Sequence, residues 1–130
     1  MKKKNIVKIL LVILLITIAI FGYIKYKKSY SKNLVETSLS DDGSYILNIY
    51  MIGEADFPYG KTHCRFNLTR YSIEVSEVSF DIADDGANAT EDNFSITWND
   101  EYVSIIVSGS EQENVTYNLY FDGTTEILGE

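Results

Sequence analysis

The chain has 130 residues, 45% hydrophobic and 13% aromatic, which suits one small folded domain and excludes a chain that stays open. Eight of the eleven basic residues lie in the first 33 positions, so residues 34–130 carry three basic residues against nineteen acids, a net of −16. Cys64 is the single cysteine, which excludes an intrachain disulfide framework, and a segment this acidic repels phosphate backbones and argues against a nucleic-acid partner.

From Ile9 to Ile24 there is no charge, and Ile6 and Val7 extend the apolar run past Lys8. At 1.5 Å per residue, the stretch from Ile6 to Ile24 is about 28 Å long, close to the hydrocarbon thickness of a bilayer. Lys8 sits near one end, where its aliphatic stem lets the ammonium reach the headgroups. The run ends in Phe21-Gly22-Tyr23-Ile24-Lys25 without a small-residue cleavage pair, so it reads as an uncleaved anchor rather than a signal peptide. Residues 1–33 are therefore read as a transmembrane anchor, spanning about 6–24, and a lysine-rich stalk. Four lysines flank each side of the span, and the α-amino group beside Lys2, Lys3 and Lys4 tips the balance toward a cytoplasmic N-terminus. The expected location is the cell membrane, single-pass, with residues 34–130 as an acidic extracytoplasmic β domain.

Leu34 to Ser38 reads as a short opening strand, and Asp41-Asp42-Gly43 as a turn. Tyr45 to Ile52 is apolar on both faces, as a central strand is. Gly53 to Gly60 forms a loop with the single proline, Pro58. Thr62 to Leu68 alternates, with Thr62, Cys64, Phe66 and Leu68 on one face and His63, Arg65 and Asn67 on the other. Tyr71, Ile73 and Val75 continue in odd register, then Val78, Phe80 and Ile82 in even register, which predicts a bulge near Ser76-Glu77. After a polar loop from Asp84 to Asn93 come Phe94, Ile96 and Trp98, a turn at Asn99-Asp100-Glu101, Tyr102 to Val107, Val115 to Phe121, and a tail from Thr124 to Leu128 suited to an edge. The pattern predicts an all-β fold, a single antiparallel sandwich or small barrel of six or seven strands, preceded by one transmembrane helix.

Ser40-Asp41-Asp42-Gly43-Ser44-Tyr45, Phe57-Pro58-Tyr59-Gly60, Asp85-Gly86-Ala87-Asn88-Ala89, Ile96-Thr97-Trp98-Asn99-Asp100 and Ser108-Gly109-Ser110-Glu111-Gln112 follow in order after the apolar segment. Together they resemble an uncharacterised family of short Gram-positive bacterial membrane-anchored proteins, a resemblance that covers residues 40–121. It implies location and fold type and carries over no catalytic residue.

Asp81, Asp84, Asp85, Asn88, Glu91, Asp92 and Asn93 offer enough oxygen for a hard cation such as Ca²⁺. Ala83 falls on the third position of an EF-hand alignment and cannot ligate, so a solvated loop is the main reading. Asp81, Asp84, Asp85 and Asp92 are the residues a metal site would draw on. His63 and Cys64 are adjacent on a strand and point to opposite faces, which rules out a catalytic dyad between them and leaves Cys64 as a buried inert thiol. The nucleophile-elbow sequence is absent, and nineteen acids make any glycosidase-like carboxylate pair unsurprising. Among Tyr59, Trp98, Tyr102 and Tyr120, which are suited to stacking on sugars or filling a partner's pocket, Trp98 shares a face with Phe94 and Ile96 and reads as core. Tyr59 and Tyr120 are the expected exposed interaction residues.

The functional expectation is a non-catalytic, membrane-anchored module, without cofactor, that binds a protein or cell-envelope partner, with cationic partners favoured by its charge. The alternative is a Ca²⁺-dependent domain using residues 84–93, and a hydrolase of envelope polymers ranks third.

Overall fold

The computed structural model describes residues 2–56 and 58–129, with backbone alone at 28–30, so Phe57 of the Phe57–Gly60 motif lies outside the described residues. The chain divides into two compact units, Met1–Ser31 and Lys32–Glu130.

The first unit is one helix, α1 (Lys3–Tyr30). Its stretch Lys3–Lys27 is long and apolar enough to cross a membrane, with a mean hydropathy of 2.7. Its side chains up to residue 27 are exposed, apolar on every side, which is the pattern of a helix solvated by hydrocarbon rather than by water. The expected stalk is not a separate element: α1 runs through Lys25, Lys27 and Lys28, and the first strand starts at Lys32. Lysine favours helix as readily as leucine does, so nothing in that segment stops the helix before Ser31.

The second unit is a sandwich of two four-stranded antiparallel sheets, each a simple up-and-down meander. Sheet one holds β1 (Lys32–Leu39), β2 (Tyr45–Ile52), β3 (Thr62–Arg70) and β4 (Ile73–Ile82). Sheet two holds β5 (Phe94–Trp98), β6 (Tyr102–Gly109), β7 (Gln112–Tyr120) and β8 (Thr125–Gly129). The two sheets stay separate, which decides for a sandwich over a barrel. Eight strands form rather than six or seven, because both the opening segment and the tail pair as edges, β1 on β2 and β8 on β7.

The alternation expected in Thr62–Leu68 is realised: Thr62, Cys64, Phe66 and Leu68 are buried, while His63, Arg65 and Asn67 are only half-buried. The change of phase in β4 is a bulge. Leu68 pairs with Ser76 and Thr69 with Glu74, which leaves Val75 as the extra residue. Tyr71 departs from its expected strand place. Tyr71 (φ 49°) and Ser72 (φ 66°) form the two-residue turn between the paired Arg70 and Ile73. A tight hairpin needs two left-handed residues, and here it takes them without Gly or Asn at a cost of about 1 kcal/mol each.

Phe66 is fully buried and joins the layers. Its ring lies 4.2 Å from Phe80 in its own sheet, and 6.1 Å from Phe94 and 5.3 Å from Tyr117 in the other. Leu47, Ile49 and Leu68 face Val103, Ile105, Val107 and Leu119 around this seam. Non-directional burial sets the pairing of the sheets, and the edge-to-face rings give it a fixed geometry.

Candidate functional site

Hairpin topology sorts the loops into two groups. One end of the sandwich carries the β2–β3 and β4–β5 loops (53–61 and 83–93) and the β6–β7 turn, and the chain enters β1 there. The opposite end carries the turns β1–β2 (40–44), β3–β4, β5–β6 (99–101) and β7–β8 (121–124).

At the first end the polar groups bind one another. Thr62, 1% exposed, donates its hydroxyl to the Ala87 carbonyl at 2.6 Å. Asn93, 8% exposed, donates through Nδ2 to the Ser108 carbonyl at 2.8 Å, and its Oδ1 accepts the Thr90 N–H at 2.9 Å. The Asp84 carboxylate accepts the Ser110 N–H at 2.8 Å and takes a longer 3.4 Å bond from Asn93. The Ser110 bonds hold its pKa below the usual carboxylate range. Gly86 (φ 74°) closes the loop: a Cβ there would come within 3.2 Å of the Tyr59 backbone.

Asp81 is engaged elsewhere, in a cluster not read from the sequence. His63 Nδ1 lies 2.6 Å from Asp81 and Nε2 lies 2.9 Å from Asp56, so one imidazole bridges the β2–β3 loop to β4. Bonds to Asp56 and then Asp81 raise the His63 pKa and favour the imidazolium. The two carboxylates sit on opposite ring nitrogens, so one cation cannot touch all three groups. Of the four metal candidates, Asp81 thus binds His63, Asp84 binds Ser110 and Asn93, and Asp85 (φ 52°) shapes the turn with Gly86. Asp92 is exposed in a single 3-10 turn over Glu91–Asn93. Among the described residues no three His, Cys, Asp or Glu converge to hold a metal ion. Cys64 is buried, and desolvation first, then Asp81, pushes its thiol up to about 12, leaving no thiolate at neutral pH.

The opposite end is built differently. A cleft of about 390 Å³ opens between the turns 40–44 and 99–101, lined by Ser40, Asp41, Asp42, Tyr45, Trp98, Asn99, Asp100 and Phe121. Its aromatic floor is fixed from both sheets. The Tyr45 and Phe121 rings stack at 3.9 Å, Trp98 lies 6.3 Å from Phe121, and the Trp98 indole N–H donates to Ser38 Oγ at 2.9 Å. A second hollow of about 380 Å³, lined by Asp100, Glu101, Tyr120, Phe121 and Asp122, shares two residues with the first.

Two acids here shape turns. Asp42 accepts the Ser44 N–H at 2.9 Å and the hydroxyls of Ser44 and Ser40, which together hold its pKa at about 2. Asp122 accepts the Thr124 N–H at 2.9 Å and its hydroxyl at 2.6 Å, bonds that lower its pKa. The Phe121 N–H donates to the Glu101 carbonyl at 2.9 Å and ties two turns together. Asp41, Asp100 and Glu101 take no side-chain hydrogen bond or ion pair among the described residues, and no basic side chain lines either hollow. Arg70 stands just outside, its guanidinium 5.3 Å from the centre of the Tyr45 ring.

Tyr59, expected as an interaction residue, is 72% exposed on the β2–β3 loop. Tyr120 is half-buried against Tyr102, with ring centres 4.9 Å apart, and lines the second hollow. Trp98 has two roles: it packs on the core as expected and also floors the cleft. The signal available in the sequence was the pair of turns Asp41-Asp42-Gly43 and Asn99-Asp100-Glu101, each next to an aromatic. Their meeting depends on the pairing of the sheets. Against protein-family models, curated proteins and solved structures, no match is found for this chain.

Proposed function

We propose that this protein is a single-pass membrane protein whose acidic β-sandwich is a non-catalytic binding module for a cationic partner at the cell envelope. The cleft between turns 40–44 and 99–101 carries this reading: half-buried aromatic rings held from two sheets, rimmed by Asp41 and Asp100, which no internal bond engages among the described residues. Aromatic floors give contact area at low entropic cost, and unpaired like charges raise the local concentration of cations. α1 serves as an uncleaved anchor with the N-terminus in the cytoplasm, supported by the absence of a small-residue cleavage pair and by the lysines at its start. Tethering holds the module near the bilayer and raises its effective concentration for partners there.

Crosslinking in intact membranes tests the reading. The wild-type chain should capture a reproducible partner that an Asp41→Asn/Asp100→Asn double variant captures at least about tenfold less, the loss of one strong charged contact. Equal capture by both chains, or none by either, contradicts it. Protease shaving of intact cells tests the orientation: residues 34–130 should be cut without lysis, and survival until lysis would reverse the topology.

A further inference from the structure

We propose that the ligand of the cleft is a small molecule bearing an alkylated ammonium group. This rests on the binding-module reading and names the chemistry that the cleft recognises.

The lining combines two features that few ligand classes satisfy together. Tyr45, Trp98 and Phe121 line the cleft as half-buried rings, and aromatic faces attract cations. Asp41 and Asp100 add full charges that no internal donor engages among the described residues. A neutral apolar ligand would suit the rings and leave the carboxylates to be desolvated without compensation. A bare divalent cation would suit the carboxylates but requires six or more oxygens, whereas Asp42 is committed to its own turn and no three His, Cys, Asp or Glu converge here among the described residues. A primary ammonium is a compact, strongly hydrated charge that gives up its water reluctantly to an aromatic surface. An alkylated ammonium is weakly hydrated, meets the rings through its methyl groups, and keeps its charge for the rim.

Size and local precedent agree. A volume of about 390 Å³ accepts a quaternary ammonium head with a short tether, within the range of small-ligand pockets. The protein already places one cation on this aromatic set, since the Arg70 guanidinium lies 5.3 Å from the centre of the Tyr45 ring and Arg70 does not line the cleft.

Trp98 is the only tryptophan, so intrinsic fluorescence reports on the cleft directly. The full-length chain is titrated in maltoside micelles with choline, with its neutral carbon isostere 3,3-dimethyl-1-butanol, and with N-acetyl-lysine amide as a primary ammonium. Choline should shift Trp98 emission saturably in the millimolar range, with each comparator at least about tenfold weaker, as expected when ring and charge terms act together. Asp100→Asn, checked for an unchanged circular dichroism spectrum, should weaken choline several-fold and leave the isostere unaffected. Because that variant keeps Trp98, a change in ligand response is separable from a change in fold. Equal binding of the isostere overturns the inference in favour of a plain apolar slot. Tighter binding of N-acetyl-lysine amide overturns it in favour of a protein lysine. Absence of saturation in every arm also overturns it. If crosslinking still depends on Asp41 and Asp100 in that last case, the binding-module reading survives alone.

Discussion

The two ends of the sandwich hold unequal numbers of acids, seven in the loops and turn of one and five in the turns of the other, and differ in what surrounds them. At the end bearing loops 53–61 and 83–93, the carboxylates of Asp56, Asp81 and Asp84 accept bonds from His63, Ser110 and Asn93, and the loops are tied to one another. At the other end, Asp42 and Asp122 close their own turns, while Asp41, Asp100 and Glu101 face solvent over an aromatic floor without internal partners among the described residues. A count of acids alone therefore points to the end opposite the cleft. What sets the cleft apart is unengaged charge beside an aromatic floor, the combination on which the proposed site rests.

Substitutions that remove polar groups sharpen this contrast, since those at the bonded end should cost stability and those at the cleft should not. Asn93→Ala leaves the Ser108 carbonyl and the Thr90 N–H without their partner and should cost about 1–3 kcal/mol in urea unfolding of the full-length chain. Thr62→Val keeps shape and removes the bond to Ala87, for a loss of about 1–2 kcal/mol.

His63→Gln should have a smaller and pH-dependent effect. Bonds to Asp56 and Asp81 raise the imidazole pKa above its ordinary 6.5, so its contribution is complete below that unfolded value and fades as pH rises through the folded one. With the side chain 42% exposed, solvent screening limits the effect to under about 1 kcal/mol. Unfolding of wild type and variant should converge in alkali, and a gap that persists there would assign the loss to packing. Replacing Tyr71-Ser72 by Asn-Gly tests the strained turn at the cleft end and should raise stability by about 1 kcal/mol, with the cleft unaltered.

Much of the sandwich was legible in the sequence, because period-two burial is a local property. The inward face of Thr62–Leu68, the β4 bulge and the shared face of Phe94, Ile96 and Trp98 all follow from alternation, whereas the tail strand is exposed throughout and pairs as an edge. Tyr71 was misplaced because its turn lacks the residues that usually mark φ > 0. The cleft and the Asp56–His63–Asp81 bridge were not legible, since each joins segments that only the strand pairing brings together. Trp98 was read as core, and so it is, but a side chain at the margin of a sandwich can both pack inward and line a cleft.

The central claim is that Asp41 and Asp100 serve a ligand rather than the fold, and the stability of their neutralised double variant tests it most directly. In urea unfolding of full-length protein followed by Trp98 emission, Asp41→Asn/Asp100→Asn should match wild type or exceed it by up to about 0.5 kcal/mol at low salt. High salt should erase any gain, because relief of like-charge repulsion is screened. A loss greater than about 1 kcal/mol would show that these carboxylates hold the fold together, and would contradict the account.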